Sequence, residues 1–136
     1  MEIIKDIYIM LPGMMENSIP KVIKVDLEII RKFNDGKYGI ARYSFDKHKY
    51  EFTYYYDKPF FTSQIYLLNE YDEYIKPSHY SITVYTNKEI MLLDYGRILN
   101  SIESLLLNKK FELEESINSI REQKELLYTK GENLFK

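Results

Sequence analysis

Residues 49–56 read KYEFTYYY and place five aromatic side chains in eight positions. Such a stretch is typical of a half-buried strand in an ordinary core, or of an exposed platform on which flat ligands stack. The neighbouring segments distinguish these two interpretations, because they determine which side chains share a face.

The preceding segment, GIARYSF at residues 39–45, is the first predicted partner of this stretch. A four-residue turn at 46–49 would pair Phe45 with Tyr50, Tyr43 with Phe52, Ala41 with Tyr54, and Gly39 with Tyr56. Small residues would then face large ones, as in a packed layer. The other face of the hairpin would be mostly polar, so we predict that the aromatic face is buried.

Three further segments alternate in the same way. KVIKVDLEIIRKF at 21–33, FFTSQIYLL at 60–68 and SHYSITVYT at 78–86 each carry apolar residues at every second position. The residues expected to point inward are Ile23, Val25, Leu27, Ile29, Phe61, Ser63, Ile65, Leu67, Tyr80, Ile82 and Val84. Asp35-Gly36 supplies a turn. Residues 1–87 are therefore predicted to form an antiparallel β-meander of about five to six strands.

The pattern changes to a helical period after residue 87. Thr86 and Glu89 form a predicted capping box, and Gly131 is a natural stop, which gives a helix over 88–130 and a tail over 131–136. Leucine or isoleucine recurs at every seventh position, at Leu92, Leu99, Leu106, Leu113, Ile120 and Leu127. The predicted fold is a single α+β domain, an antiparallel meander packed against a long C-terminal helix. The alternative is a helical hairpin that breaks at residues 108–110.

The two halves of this helix differ in their apolar faces. The first half has a broad face fit to cover the sheet, made of Ile90, Leu92, Leu93, Ile98, Leu99, Ile102, Leu105 and Leu106. The second half has a narrow stripe among many charges, of the kind that one helix presents to another. We predict that it binds a second copy or another protein through Phe111, Leu113, Ile117, Ile120 and Leu127.

Composition limits the classes of function. The chain has 136 residues, no cysteine and a net charge of −2, which excludes disulfides and argues against a basic nucleic-acid module. Glu2, Lys5 and Asp6 interrupt the opening segment, so we expect neither a signal peptide nor membrane insertion, and a cytoplasmic location. Abundant Ile, Lys, Tyr and Asn are typical of AT-rich genomes, and favour an inhibitor or accessory protein of a mobile element such as a phage or archaeal virus.

No motif predicts catalysis, a metal or a cofactor. His48 and His79 lack ligand spacing. Glu51, Asp57, Asp72 and Glu73 are the acidic residues that could act as acid and base, but Asp72 and Glu73 fall in a charged loop that solvation explains better. The protein is therefore expected to act without catalysis, through protein contacts. The alternative is a single-stranded RNA- or DNA-binding module that uses aromatic and basic residues of the polar sheet face. These are Lys37, Tyr38, Arg42, Lys47, Lys49 and Tyr55.

Overall fold

The computed structural model describes residues 2–13 and 18–130, of which residues 76–80 and Lys130 are described by their backbone alone. Its strands are β1 (Glu2–Leu11), β2 (Lys21–Phe33), β3 (Tyr38–Phe45), β4 (His48–Tyr55), β5 (Phe60–Leu68) and β6 (Tyr74–Tyr85). A 3-10 turn at Asn34–Gly36 joins β2 to β3, where a turn was predicted. One helix, α1 (Lys88–Lys130), follows the strands. The chain divides into two compact units between Arg97 and Ile98.

The six strands follow one another in chain order as an antiparallel meander and close into a barrel. Closure comes from β1, which pairs with β6 through Tyr8 and Tyr85, Ile9 and Val84, and Met10 and Thr83. The α+β class, the antiparallel sheet and the long C-terminal helix are confirmed. The helix is a single 43-residue element rather than a hairpin. Closure of the sheet was not predicted.

The core fills the inside of the barrel. Alternation correctly identified the inward positions of β2, and Phe61, Ile65, Ile82 and Val84 are buried as expected. Ser63 and Leu67 are only half-buried. Leu68 is buried in place of Leu67, at a point where the pairing of β5 with β6 shifts. The side chain of Tyr80 lies outside the described residues. Inside the barrel the largest fully buried side chains are Phe52, Ile7, Ile9, Leu27, Ile65, Ile82 and Val84.

The β3–β4 hairpin corrects the predicted register by two residues. Tyr43 lies opposite Tyr50, Ala41 opposite Phe52, and Gly39 opposite Tyr54. The turn contains two residues, Asp46 and Lys47, with φ of 51° and 67°, which is the conformation of a tight primed turn. Because a shift of two preserves strand parity, every side chain keeps its predicted face, and Tyr43, Phe52 and Tyr54 are buried.

The start of α1 corrects the predicted cap. The side-chain oxygen of Asn87 accepts hydrogen bonds from the amides of Glu89 at 2.8 Å and Ile90 at 3.2 Å, so Asn87 is the N-cap. Thr86 is not the cap, because its backbone amide and its hydroxyl both donate to the carbonyl of Pro59, at 3.0 and 2.9 Å.

The first turns of α1 attach to the outside of the barrel at Tyr85. The Tyr85 hydroxyl donates to the carboxylate of Asp94, and both Tyr85 and Met91 are buried. Burial, followed by this contact with Asp94, raises the pKa of the Tyr85 hydroxyl. Leu92 and Leu93 are exposed, so the prediction that they cover the sheet is wrong. Barrel closure already buries the inner face of the sheet.

Candidate functional site

The second unit carries an exposed apolar stripe on α1. Every residue from Glu103 to Thr129 is exposed. Within this segment Leu113 is 63% exposed, Ile117 46%, Ile120 56% and Leu127 47%. We refer to these four residues as the apolar stripe. A shallow groove of about 340 Å³ runs along it beside Ile120 and Leu127.

Helical geometry brings the four stripe residues together and separates them from Phe111. At 3.6 residues per turn, Leu113, Ile117, Ile120 and Leu127 fall within an arc of about 80°. Phe111 lies about 160° from Leu113, on the opposite side of the helix. Phe111 is nevertheless 60% exposed, much as Leu113 is. Four of the five predicted partner-binding residues therefore share a face, and Phe111 does not.

Charged residues lie within and beside the stripe. In the seven-residue repeat Lys110 and Lys124 occupy the same position as Ile117, one heptad before it and one after it, and Glu114 and Arg121 follow one flank of the stripe seven residues apart. The seven-residue spacing visible in the sequence was enough to find Leu113, Ile120 and Leu127 of the stripe. The four charged side chains restrict which residues could lie opposite them on another helix.

The predicted basic residues of the sheet face do not form a cluster. Lys37 precedes β3 and Lys47 follows it, so a strand about 27 Å long separates them. Arg42 and Lys49 lie closer together, but both bind Asp72, from Arg42 Nη1 at 3.2 Å and from Lys49 Nζ at 2.7 Å. The hydrogen bond from Lys49 lowers the pKa of the Asp72 carboxyl.

Beneath the ion pairs of Arg42 and Lys49 with Asp72, the carboxylate of Glu51 is buried within 3.5 Å of Arg42 Nε. The charge of Arg42 is thus shared between two carboxylates. An adjoining cavity of about 260 Å³ is lined by Arg42 and Lys49, together with the carboxylates of Asp26, Glu28 and Asp72. This balance disfavours a phosphate ligand. Asp72 joins the two cations from a loop, a contact for which the sequence holds no local signal.

The predicted aromatic residues of the sheet face do meet. Tyr38 lies opposite Tyr55 on the neighbouring strand, with ring centroids 6.2 Å apart. Phe33 stacks on Tyr38 at 5.5 Å, and Lys58 Nζ lies 4.8 Å from the centre of the Tyr55 ring. These two rings therefore already have partners within the protein.

The described residues contain neither a metal-binding cluster nor a membrane-spanning helix. Across residues 2–13 and 18–130, no group of three or more His, Asp or Glu side chains is placed to hold a metal ion. His48 is exposed at the start of β4, and the side chain of His79 lies outside the described residues. No helix in the described part of the chain is long and apolar enough to cross a membrane.

Comparisons of the chain with protein-family models, with curated proteins and with solved structures found no match.

Proposed function

We propose that this protein is a non-catalytic assembly module that forms homodimers through the apolar stripe of α1. One observation carries the proposal: four apolar side chains on one face of α1 are about half exposed, within a segment that has no buried residue between Glu103 and Thr129. Most helical stability in proteins comes from packing of an amphipathic face. A second copy would supply that packing.

The expected affinity follows from the exposed area. Full burial of a leucine or isoleucine contributes roughly 1.5–3 kcal/mol, so burying the exposed halves of eight side chains would contribute roughly 6–12 kcal/mol. Association itself costs an estimated ~4–15 kcal/mol. Gain and cost are of the same order, so we expect a dimer that forms at micromolar or higher concentrations.

The barrel supports a role for the helix rather than the sheet edge in assembly. Sheets commonly recruit partners by adding a strand to an exposed edge. Here β1 and β6, the two terminal strands of the meander, pair with each other. Closure at three residue pairs leaves less free edge for strand addition.

Light scattering coupled to size-exclusion chromatography tests the proposal. The apparent mass of the wild-type chain should rise from 16.4 kDa towards twice that value as the concentration increases into the hundreds of micromolar. Leu113→Lys and Ile120→Lys should each remain monomeric over the same range, because each removes an apolar side chain from the stripe and adds to its positive charge.

Phe111→Lys is the matched control, since it replaces an equally exposed apolar side chain on the opposite face. It should dimerise as the wild type does. A wild-type mass that stays at one chain throughout would contradict the proposal. So would equal weakening by Phe111→Lys and Leu113→Lys.

A second candidate function, binding of single-stranded RNA or DNA, is favoured by the neighbouring rings of Tyr38 and Tyr55. Stacking of a base on such a ring contributes about 1–3 kcal/mol. Fluorescence anisotropy with labelled oligonucleotides would support this function if binding weakened with salt and with Tyr55→Ala. Absence of binding at low salt would exclude it.

A further inference from the structure

We propose that the second copy lies antiparallel to the first, with Ile117 of one chain opposite Ile120 of the partner subunit. This orientation rests on the homodimer proposed above. It is carried by the charged residues within and beside the apolar stripe, which distinguish a parallel from an antiparallel arrangement.

The two lysines at the heptad position of Ile117 disfavour a parallel pair. In a parallel, in-register dimer each stripe position faces its own copy, so Lys110 would face Lys110 of the partner subunit. Lys124 would do the same. Two layers of like charge would then bracket the isoleucines, and like charges placed opposite each other are destabilising.

The antiparallel arrangement removes both clashes. With Ile117 opposite Ile120 of the partner subunit, Lys124 faces Leu113 of the partner subunit, and Lys110 faces Leu127 of the partner subunit. A lysine in such a position packs its aliphatic stem on the apolar neighbour and extends its ammonium group into water. The four isoleucines of the two chains become contiguous at the centre.

The flanking charges favour this register over its neighbours one heptad step away. In this register the two-fold axis passes between residues 118 and 119. Glu114 then lies about 3 Å, measured along the helix axis, from Arg121 of the partner subunit, and the pair occurs twice. Moving the axis to residue 115 would instead bring Glu114 beside its own copy. Moving it to residue 122 would bring Arg121 beside its own copy.

Cysteine cross-linking distinguishes the arrangements cleanly, because the natural chain contains no cysteine. Two variants are made separately, Lys110→Cys and Leu127→Cys, and are oxidised alone and after mixing. In the proposed dimer residue 127 lies about 25 Å along the axis from its own copy, which is beyond disulfide reach, but opposite residue 110 of the partner subunit. Cross-linked dimer is therefore expected only in the mixture.

A control and a second pair of variants keep the test decisive. Phe111→Cys, on the opposite face, should not cross-link with any of the variants. Glu114→Arg alone should weaken dimerisation about tenfold, and adding Arg121→Glu in the same chain should restore it. In a parallel dimer these two positions do not meet, so the second change would bring no recovery.

The outcomes separate the orientation from the dimer itself. Cross-linking of Leu127→Cys with its own copy would overturn the antiparallel orientation and leave the homodimer intact. A wild-type dimer in which neither the mixture cross-links nor the charge exchange recovers would also overturn it. A wild-type chain that sediments as a monomer at every concentration would instead overturn the homodimer.

Discussion

Alanine substitutions at Gly39 and Gly96 make the same chemical change in opposite surroundings, and we expect opposite effects on stability. The β2–β3 ladder pairs Ile29 with Ala41 and Arg31 with Ile40, so Ile30 is an extra residue that forms a bulge. A Cβ at Gly39 would lie 2.8 Å from the carbonyl oxygen of Arg31, whereas a Cβ at Gly96 would have no neighbour within 4 Å.

The magnitudes follow from these distances. A separation of 2.8 Å from a backbone oxygen requires the strands to shift, and overpacking of this kind costs about 1–3 kcal/mol. Alanine also reduces the conformational entropy of the unfolded chain, which offsets about 0.4–1 kcal/mol of that cost. From the centres of these two ranges, Gly39→Ala should lower the free energy of unfolding by about 1.3 kcal/mol. Gly96→Ala should raise the stability of α1 by about 0.8–1 kcal/mol, through helix propensity alone.

Urea denaturation followed by two signals measures both effects. Tyrosine fluorescence reports on the barrel, and circular dichroism at the helical minimum reports on α1. The barrel midpoint should fall for Gly39→Ala, and the helical midpoint should rise for Gly96→Ala. A barrel midpoint for Gly39→Ala at or above that of the wild type would refute the close approach of β2 to β3 at the bulge.

Three further substitutions test the start of the helix and the ion pairs of Asp72 with Arg42 and Lys49. Asn87→Ala should destabilise the first turn of α1 by about 0.5–2 kcal/mol, measured by urea denaturation; no change would mean that another group caps the helix. Tyr85→Phe removes the donor to Asp94 and should lower the free energy of unfolding of the barrel by about 1–2 kcal/mol, whereas an unchanged free energy would contradict a structural role for this contact. Because the pKa of Asp72 is lowered from its ordinary value of 3.8 by Lys49, its stabilisation is present above that value and lost as the pH falls through the lower, folded value. The stability difference between wild type and Asp72→Asn should thus shrink between pH ~5 and ~2, and a constant difference would exclude the ion pair.

Alternation was enough to predict which face of each strand is buried, but not how long the turns are. Tyr43, Phe52 and Tyr54 point inward in any register of even shift. The length of the β3–β4 turn could not be predicted, because Asp46 and Lys47 adopt positive φ without the glycine that usually signals it. Closure of the barrel could not be predicted either, because the strands that close it pair residues far apart in the sequence, such as Tyr8 and Tyr85.

The candidate site shows the same division between local and distant causes. Seven-residue spacing located Leu113, Ile120 and Leu127, and Ile117, four residues after Leu113, falls on the same face, because a continuous helix converts spacing directly into a shared face. Phe111 was grouped with them by proximity in sequence, although the helical period places it on the other side. The cap at Asn87 could not be predicted, because a distant residue, Pro59, occupies the hydroxyl of Thr86.

Amide hydrogen exchange at two protein concentrations tests pairing through the stripe most directly. Above the dimerisation midpoint, amides of residues 106–127 should be protected, and on dilution below it they should exchange rapidly. Protection of β2, β3 and β4 should be the same at both concentrations. Exchange of residues 106–127 at one rate regardless of concentration would contradict the assembly of two copies through this helix.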